Sequence, residues 1–134
     1  IINSPGGSVP AGLALIDPIQ SLDCPVITVG EGVVASMAAV ILACGDRRQV
    51  YRHTQVLIHQ LMGGTGMAQQ TDIEIVAQHT AAMRAELDEL LAEHGNLNAQ
   101  EFHELTERDC WCNARRALEL GLVDEVIAPS KKAL

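Results

Sequence analysis

The sequence predicts an α/β fold in which strands and helices alternate. Short apolar runs bounded by glycine, proline or polar residues, typical of buried strands, recur between longer stretches of helical periodicity. Hydrophobic residues form 48% of the 134-residue chain and aromatic residues only 2%, so the core consists mainly of alanine, valine, leucine and isoleucine. Such side chains suit helices packed closely on a sheet. No internal repeat divides the chain, and we expect one domain over residues 1–134.

Composition argues against several classes of function. The formal charge of −8 argues against a nucleic-acid partner, because phosphate neutralisation needs clustered lysine and arginine. The apolar stretch over residues 33–44 is shorter than the roughly 20 residues that cross a bilayer, so we expect a buried helix and no membrane partner. No secretion signal opens the sequence, which predicts a cytoplasmic protein. The cysteines show neither disulfide-framework nor zinc spacing, and we expect reduced thiols and no metal site.

The first elements follow from turn and cap signals. Ile1 and Ile2 end a strand, and residues 3–8 form a loop rich in serine, proline and glycine. Ser8 is placed to cap a helix whose apolar positions recur every three residues. Pro18 lies inside this helix, where it removes a hydrogen bond and clashes with the preceding turn. We therefore expect a kink or an early end near residues 16–17.

Ser36 is the hydroxyl-bearing residue of the next segment. Residues 26–29 predict a short buried strand, and Gly30 and Gly32 allow a tight turn into the apolar helix. Ser36 then projects from a bend at the helix start, beside backbone N–H groups that lack an intrahelical partner. This setting suits a nucleophile next to an oxyanion site. A serine at a helix start is more often a cap or a packing residue, so both interpretations stay open at this point.

His59 follows the second of two predicted strands, residues 49–51 and Gln55–Ile58. A histidine in this position is usually a hydrogen-bonded structural residue, and the catalytic interpretation needs further support. The glycine-rich residues 62–67 predict a mobile segment or an extended edge. They lack the Lys-Ser/Thr ending of a phosphate loop, which argues against phosphate binding.

A long helix is predicted over Thr71–His94. Thr71 and Glu74 have the spacing of a capping box, and Gly95 can end the helix. Its many charges make it either a solvated cover or an element that projects to meet another subunit. The remaining predicted elements are two short helices that begin at Asn98 and Asn113 and a strand over residues 122–127.

Six blocks of sequence, in order over nearly the whole chain, resemble the ClpP family, the proteolytic subunits of ATP-dependent Clp proteases. The blocks are Asn3–Val9, Gly32 with Ala35–Met37, Val56–Gln60, Thr71–Ile75, Thr106–Asp109 and Gly121–Asp124. The resemblance implies the ClpP/crotonase-type fold of repeated β-β-α units with a long protruding helix, and a Ser-His-Asp serine endopeptidase. It assigns Ser36 as the nucleophile, His59 as the general base and Asp109 as the group that orients the imidazole. It assigns the backbone N–H groups of Gly6 and Met37 to the oxyanion hole.

The chemistry of the three side chains agrees with these roles. A serine hydroxyl becomes an effective nucleophile when a neutral imidazole accepts its proton, and a buried carboxylate stabilises the imidazolium that results. The chain order Ser36, His59, Asp109 differs from that of α/β-hydrolases and of chymotrypsin, which argues against those folds. We therefore predict cleavage of unfolded polypeptides through an acyl-enzyme.

The resemblance further implies an assembly. Members of the family form two stacked seven-membered rings around a chamber, interlocked through elements that match Gly63–Gln70 and Thr71–His94. Glu107 and Arg108 match an acidic-basic pair that links ring contact to triad alignment. The ring partners are copies of this chain or paralogous subunits. An AAA+ unfoldase is expected to supply substrate at the expense of ATP, because this chain has no nucleotide motif and is expected to bind no cofactor.

The sequence departs from the family pattern at several positions. The family segment that precedes the loop at residues 3–8 was either removed or is not represented in this sequence, Arg52 and Leu61 stand where proline is usual, and Glu31 replaces an apolar residue. Two alternatives therefore stay open. One is a catalytically weak, ClpP-like structural subunit of a mixed ring. The other is a crotonase-type acyl-CoA enzyme, which shares the fold and the oxyanion hole but works with carboxylates.

Overall fold

A computed structural model describes residues 1–128 of the chain. Within this range the strands are β1 (Ile2–Ser4), β2 (Ile27–Ala35), β3 (Arg47–Tyr51), β4 (Gln55–Ile58), β5 (Cys110–Asn113) and β6 (Glu125–Ile127). The helices that alternate with them are α1 (Val9–Gln20), α2 (Met37–Ala43), α3 (Gln70–His94), α4 (Ala99–Leu105) and α5 (Ala114–Glu119). The alternation confirms the predicted α/β class. The predicted domain limit at residue 134 lies outside the described residues.

The strands form one mixed sheet in the order β5-β4-β2-β3-β6, with β1 paired to β2 as well. The pairs are parallel except β4–β5, which is antiparallel. Strand β2 changes neighbours along its length, because residues 27–30 pair with β3 and residues 33–35 pair with β4. Gly32, with φ 62°, lies at this change, where the left-handed backbone conformation favours glycine. The second half of β2 therefore leads toward β4 and the end of the sheet where the candidate site lies.

Helix α2 is the centre of the core. All of its residues are buried except Ile41, which is half-buried. Its alanines let α1 approach closely, and Gly12 of α1 packs directly on Met37. A Cβ atom at position 12 would lie 2.2 Å from Met37 Cγ, so this helix contact depends on glycine. The largest completely buried side chains are Phe102, Ile16, Leu42, Ile58, Leu120 and Leu122.

Helix α3 packs on the core only through its C-terminal half. Leu91 is buried and Leu87 packs partly buried against the same cluster. Residues 71–79 are all exposed, including the predicted apolar positions Ile73 and Val76. The N-terminal half of the helix therefore projects from the body of the chain with apolar side chains in solvent.

The helix ends agree with the sequence in most cases. Gly95 follows α3, and Asn98 and Asn113 cap α4 and α5 through their side chains, as predicted. The predicted capping box at residues 71–74 is wrong, since α3 begins one residue earlier and its N-cap, Gln69, makes no side-chain cap hydrogen bond. An exposed helix start has its free N–H groups in water, which removes the need for a cap.

The predicted early end of helix α1 before Pro18 is wrong. The helix does not end near residues 16–17 but continues to Gln20. Pro18 lies in the last turn at an exposed position, where water can bind the carbonyl group that loses its helical partner. Ser8 occupies the N-cap position as predicted, although its side chain makes no capping hydrogen bond.

Two boundaries near the site also differ from expectation. Strand β2 runs to Ala35, so Gly30 and Gly32 lie within the strand and the turn is formed at Ser36 alone. Strand β5 was not predicted, because a four-residue strand in a Cys-Trp-Cys context has no local signal and forms by pairing with β4.

Residues 62–67 form neither helix nor strand. None of the helices in residues 1–128 is both long and apolar enough to cross a membrane.

Candidate active site

Ser36 and His59 lie at the carboxyl ends of two adjacent parallel strands. Ala35 of β2 pairs with Leu57 of β4, and each candidate residue follows its strand by at most two positions. The Ser36 N–H donates to the Leu57 carbonyl oxygen at 2.8 Å, which continues the ladder by one step. The parallel pairing therefore brings together two residues that are 23 positions apart in the sequence (59 − 36).

Asp109 reaches the site through the antiparallel strand β5. Ile58 pairs with Cys110, so the next residues at that end of the pair are His59 and Asp109. His59 Nδ1 and Asp109 Oδ1 are 3.6 Å apart, beyond the 2.7–3.2 Å range of a hydrogen bond. Sequence reasoning placed Asp109 here only by resemblance, because the strand that carries it into position has no local signal.

The backbone of Ser36 is in a rare conformation. Its φ of 57° and ψ of −129° make it the one non-glycine residue with positive φ in residues 1–128. Such a conformation costs on the order of 1–3 kcal/mol and is most often found at functional sites. Ser36 is the N-cap residue of α2, yet its side chain makes no cap hydrogen bond. The capping interpretation of Ser36 is therefore wrong, and its hydroxyl is not engaged by the helix.

Gly6 lies against the Ser36 turn. A Cβ atom at position 6 would be 2.6 Å from both the Ala35 carbonyl oxygen and Ser36 Cβ, and 3.1 Å from the Met37 nitrogen. With φ 96°, this position requires glycine on conformational grounds as well. The backbone of Gly6 therefore lies directly against the start of α2.

The backbone N–H groups of Gly6, Gly7 and Met37 differ in whether they have a hydrogen-bond acceptor. The Gly6 N–H donates to Ser4 Oγ at 3.1 Å, so Gly6 can serve as an oxyanion donor only if Ser4 turns away. The Met37 N–H, at the start of α2, has no hydrogen-bond partner in the described part of the chain. The Gly7 N–H likewise has none there. Met37 is therefore the predicted donor that the structure leaves free.

A cleft opens beside Ser36 and His59 and runs between α1, α2 and α3. In the isolated chain it leaves about 30 Å³ of room for a water-sized molecule. Its walls are mainly apolar, with side chains from Val9, Met37, Val40, Leu87 and Leu91. Arg84, Asp88 and Thr106 contribute polar groups. The cleft borders the serine, and a substrate side chain can enter it once its walls move apart.

Gln60 and Arg84 tie the two loops of the site to α3. The Gln60 N–H donates to the Thr106 carbonyl oxygen, and Gln60 Nε2 donates to the Glu107 carbonyl oxygen, both at 2.7 Å. Arg84 donates to Gln60 Oε1 at 3.1 Å, to the His103 carbonyl oxygen at 3.0 Å and to Glu107 Oε2 at 3.1 Å. The segment after His59 and the segment before Asp109 are therefore held by one guanidinium group.

Sequence reasoning missed Arg84 and Asp88. Both lie on the buried side of α3, where Met83, Leu87 and Leu91 form an apolar stripe. Charged residues in such a stripe are a usable signal, because a buried charge needs a partner. Their partners lie on α4 and the loops of the site, which the sequence does not place.

Glu107 and Arg108 contact each other at the surface. Arg108 NH1 lies 3.3 Å from Glu107 Oε1, and its side chain is 85% exposed. The hydrogen bond from Arg84, with the charges of Arg84 and Arg108, holds the pKa of the Glu107 carboxyl below its usual range. Glu107 is thus ionised at neutral pH and joins α3 to the Asp109 loop, while the role of this pair in ring contact stays a prediction.

The burial of the candidate triad differs from the expected pattern. The His59 side chain is 12% exposed, whereas the Asp109 side chain is 65% exposed. The expectation of a buried carboxylate is therefore wrong for the isolated chain. Within residues 1–128 no hydrogen bond joins Ser36 Oγ to His59. The three side chains are adjacent but not aligned, and closing the His59–Asp109 gap needs a shift of less than about 1 Å.

Comparison with known proteins gives a consistent result. The family model for Clp protease matches residues 1–130. The ATP-dependent Clp protease proteolytic subunit of Streptococcus sanguinis (strain SK36) is 41% identical over 132 residues, which cover 96% of this chain and 67% of that protein. The subunit of the same name from Lactococcus lactis subsp. cremoris (strain SK11) is 40% identical over 94% of the chain and 65% of that protein. The chain spans about two thirds of the length of these relatives.

Proposed function

The chain belongs to the Clp protease family, and from this premise we propose that it is a serine endopeptidase subunit that cleaves unfolded polypeptides through an acyl-enzyme on Ser36. The mixed α/β sheet is consistent with the ClpP fold. The observation that supports the activity most is the strained turn at Ser36. This turn lies at the end of β2, next to the end of β4, and His59 is the residue that follows β4. We place residues 1–134 in a single peptidase domain.

The proposed reaction uses these groups in two steps. His59 accepts the proton of Ser36 Oγ as the oxygen attacks the peptide carbonyl, and the Met37 N–H stabilises the negative charge on the carbonyl oxygen. The protonated His59 gives its proton to the leaving amine, which leaves an ester on Ser36. A water molecule, deprotonated by His59, then attacks the ester, and His59 returns the proton to the leaving Ser36 Oγ. Asp109 fixes the imidazole tautomer and stabilises the imidazolium.

The second oxyanion donor belongs to residues 6–7. The contact of Gly6 with the Ser36 turn supports a place for this loop at the oxyanion, as predicted for Gly6. Release of the Gly6 N–H from Ser4 Oγ would provide the predicted donor. The Met37 N–H needs no such change. We therefore assign it the larger share of oxyanion stabilisation in the isolated chain.

We propose that assembly into stacked seven-membered rings aligns the triad. Apolar side chains on the projecting half of α3 and on the glycine-rich segment are in solvent, with Met62 85% exposed and Ile75 58% exposed. Burial of these side chains against further copies of this chain or paralogous subunits would favour assembly. Glu107 and Arg108 lie where such a contact could be transmitted to Asp109, two residues and one residue away.

We further propose an external source of unfolded substrate. The chain carries no nucleotide-binding motif, so an AAA+ unfoldase would use ATP and feed polypeptide to the rings in the cytoplasm. The peptidase step itself needs no cofactor in this proposal, because an imidazole and backbone N–H groups supply the acid–base and electrostatic catalysis.

A catalytically weak structural subunit of a mixed ring is the second candidate. The 3.6 Å distance between His59 and Asp109, and the binding of the Gly6 N–H by Ser4, favour it. The crotonase-type acyl-CoA enzyme is not retained, because the family that matches is the Clp protease family.

Hydrolysis of an internally quenched peptide by the full-length protein tests the proposal. Native mass spectrometry first establishes which preparations are assembled. Assembled wild type is expected to cleave the peptide, Ser36→Ala to lose cleavage, and the exposed serine variant Ser21→Ala to retain it. If this chain assembles but does not cleave the peptide by itself, and also forms mixed rings with an active paralogue, the result would instead support the structural subunit.

A further inference from the structure

The cleft beside Ser36 contains a carboxylate that the proposed reaction does not use. Asp88 lies on α3, one residue after the apolar wall residue Leu87, and is 5% exposed. It lines the same cleft as Ser36 and His59. A carboxylate is rarely buried at this level unless it is paired or serves a ligand, because removing it from water is costly.

Among the described residues, one oxygen of this carboxylate has a partner and the other has none. His103 Nδ1 lies 2.7 Å from Asp88 Oδ2, which fixes the orientation of the carboxylate from the side of α4. Asp88 Oδ1 accepts no hydrogen bond within residues 1–128, and it is not completely buried. An acceptor with free lone pairs thus lies among the mainly apolar walls of the cleft.

The position of the cleft determines which substrate side chain meets Asp88. A peptide carbonyl attacked by Ser36 Oγ, with its oxygen at the Met37 N–H, belongs to the residue that precedes the scissile bond. Met37 and His59 both line the cleft, so the side chain of that residue is directed at it. Its stem would contact Val40, Leu87 and Leu91, and its tip would approach Asp88.

We propose that Asp88 makes this cleft select a side chain with an apolar stem and a hydrogen-bond-donating tip, such as glutamine, immediately before the scissile bond. The inference rests on the proposed peptidase function and adds to it a substrate preference. A donor at the tip satisfies Asp88 Oδ1, whereas a purely apolar side chain of the same length leaves it without a partner.

The neighbouring charges narrow the preference further. Arg84 also lines the cleft; its two terminal nitrogens are bonded to Gln60, Glu107 and the His103 carbonyl oxygen, whereas its buried Nε has no partner within residues 1–128. A glutamate tip would bring a second carboxylate to Asp88 and is disfavoured by repulsion of like charges. A neutral donor avoids both the repulsion of an anion and the additional desolvation of a charged tip.

Peptidyl phosphonates with glutamine or methionine as the residue next to phosphorus test the proposal on the assembled, full-length protein. The two side chains have similar length, and only glutamine has a donor. The readout is the ratio of the rates at which the two probes modify Ser36, followed by intact mass. Loss of a hydrogen bond to a carboxylate is expected to lower this glutamine-to-methionine ratio about tenfold in Asp88→Leu. In the isosteric Asp88→Asn we expect a fall of about threefold, since a neutral acceptor is weaker.

Glu89→Gln is the matched control, because Glu89 is the exposed neighbour of Asp88 on α3 and its substitution should leave the ratio unchanged. An unchanged ratio in both Asp88 variants would overturn the proposal while leaving the peptidase function intact. A probe with alanine that reacts much faster than both would also overturn it, because the cleft would then not accept the side chain. Failure of every probe to modify Ser36 in assembled protein would remove the peptidase function itself, and this inference with it.

Discussion

Ile58 and Cys110 pair across the antiparallel strands β4 and β5, and this register places His59 and Asp109 at the same end of the pair. Their side chains come to 3.6 Å, close enough that a small movement of either loop completes a hydrogen bond. The same end of the sheet holds Ser36, whose N–H is bonded to β4. The strand register thus accounts for the meeting of three side chains from distant parts of the sequence.

Asp109→Asn should lower kcat of the assembled protein for a peptide substrate by about 10⁴-fold, the scale for a triad carboxylate that sets the imidazole tautomer. The overall fold should be unaffected, because the Asp109 side chain is largely in solvent. Steady-state hydrolysis gives the value, with the exposed Asp23→Asn as the control. A kcat within threefold of wild type would show that Asp109 is not the orienting group.

Arg84→Met should lower kcat more than it raises KM, because Arg84 holds the loops of His59 and Asp109 and makes no contact with the reacting atoms in the proposed reaction. A misplacement of about 1 Å costs on the order of 100-fold, which sets the expected scale of the loss. Arg84→Lys should restore part of kcat.

The exposed Arg115→Met is the control for Arg84, since Arg115 bonds only Glu119 among the described residues. Circular dichroism and native mass spectrometry separate a catalytic effect from loss of folding or assembly. Equal losses of kcat in the Arg84 and Arg115 variants would contradict the positioning role.

Gly12→Ala should lower the free energy of unfolding by about 1–3 kcal/mol, because the new methyl group overlaps Met37 in a packed core. Urea denaturation followed by circular dichroism measures the change. Gly64→Ala is the matched control, since a Cβ atom there meets nothing within 4 Å. If the two variants are equally stable, the close packing of α1 on α2 is not as described.

The ion pair between Asp124 and Arg48 should make the stability of the protein depend on pH. Hydrogen bonds from Arg48 hold the pKa of the Asp124 carboxyl below its ordinary 3.8, so the folded state favours the ionised form. The stabilisation is therefore present above the unfolded pKa and is lost as the pH falls below about 4 through the folded pKa. It should amount to about 1 kcal/mol or less, because 42% of the Asp124 side chain remains in solvent.

The measurement is the difference in unfolding free energy between wild type and Asp124→Asn at several pH values. The difference should be constant between pH 6 and 8, roughly, and shrink at lower pH. A difference that grows on acidification would have the wrong sign for this pair. The exposed Asp23→Asn again serves as the control.

Local signals in the sequence predicted those elements that are determined locally. Strand β4 has the predicted bounds, and Gly95, Asn98 and Asn113 mark helix ends as expected, because cap and turn preferences act within a few residues. Strand β5 could not be predicted in this way, since its formation depends on pairing with β4 about 50 residues earlier.

In the candidate site, too, the features set by nearby residues were predicted and those set by distant partners were not. The bend at Ser36 was expected from its glycine-containing context, but the positive φ falls on the serine itself, because both glycines are used within β2. Asp109 came only from the family resemblance, and its exposure was not expected. Arg84 and Asp88 were missed because their meaning depends on partners on another helix and in two loops.

The central claim is that Ser36 is an activated nucleophile once the chain is assembled. Labelling of the full-length protein with a fluorophosphonate, read by intact mass after native mass spectrometry has shown assembly, tests it most directly. The account predicts a single adduct that is absent in Ser36→Ala and strongly reduced in His59→Ala. No adduct from assembled wild type, or an adduct that persists in Ser36→Ala, would contradict it.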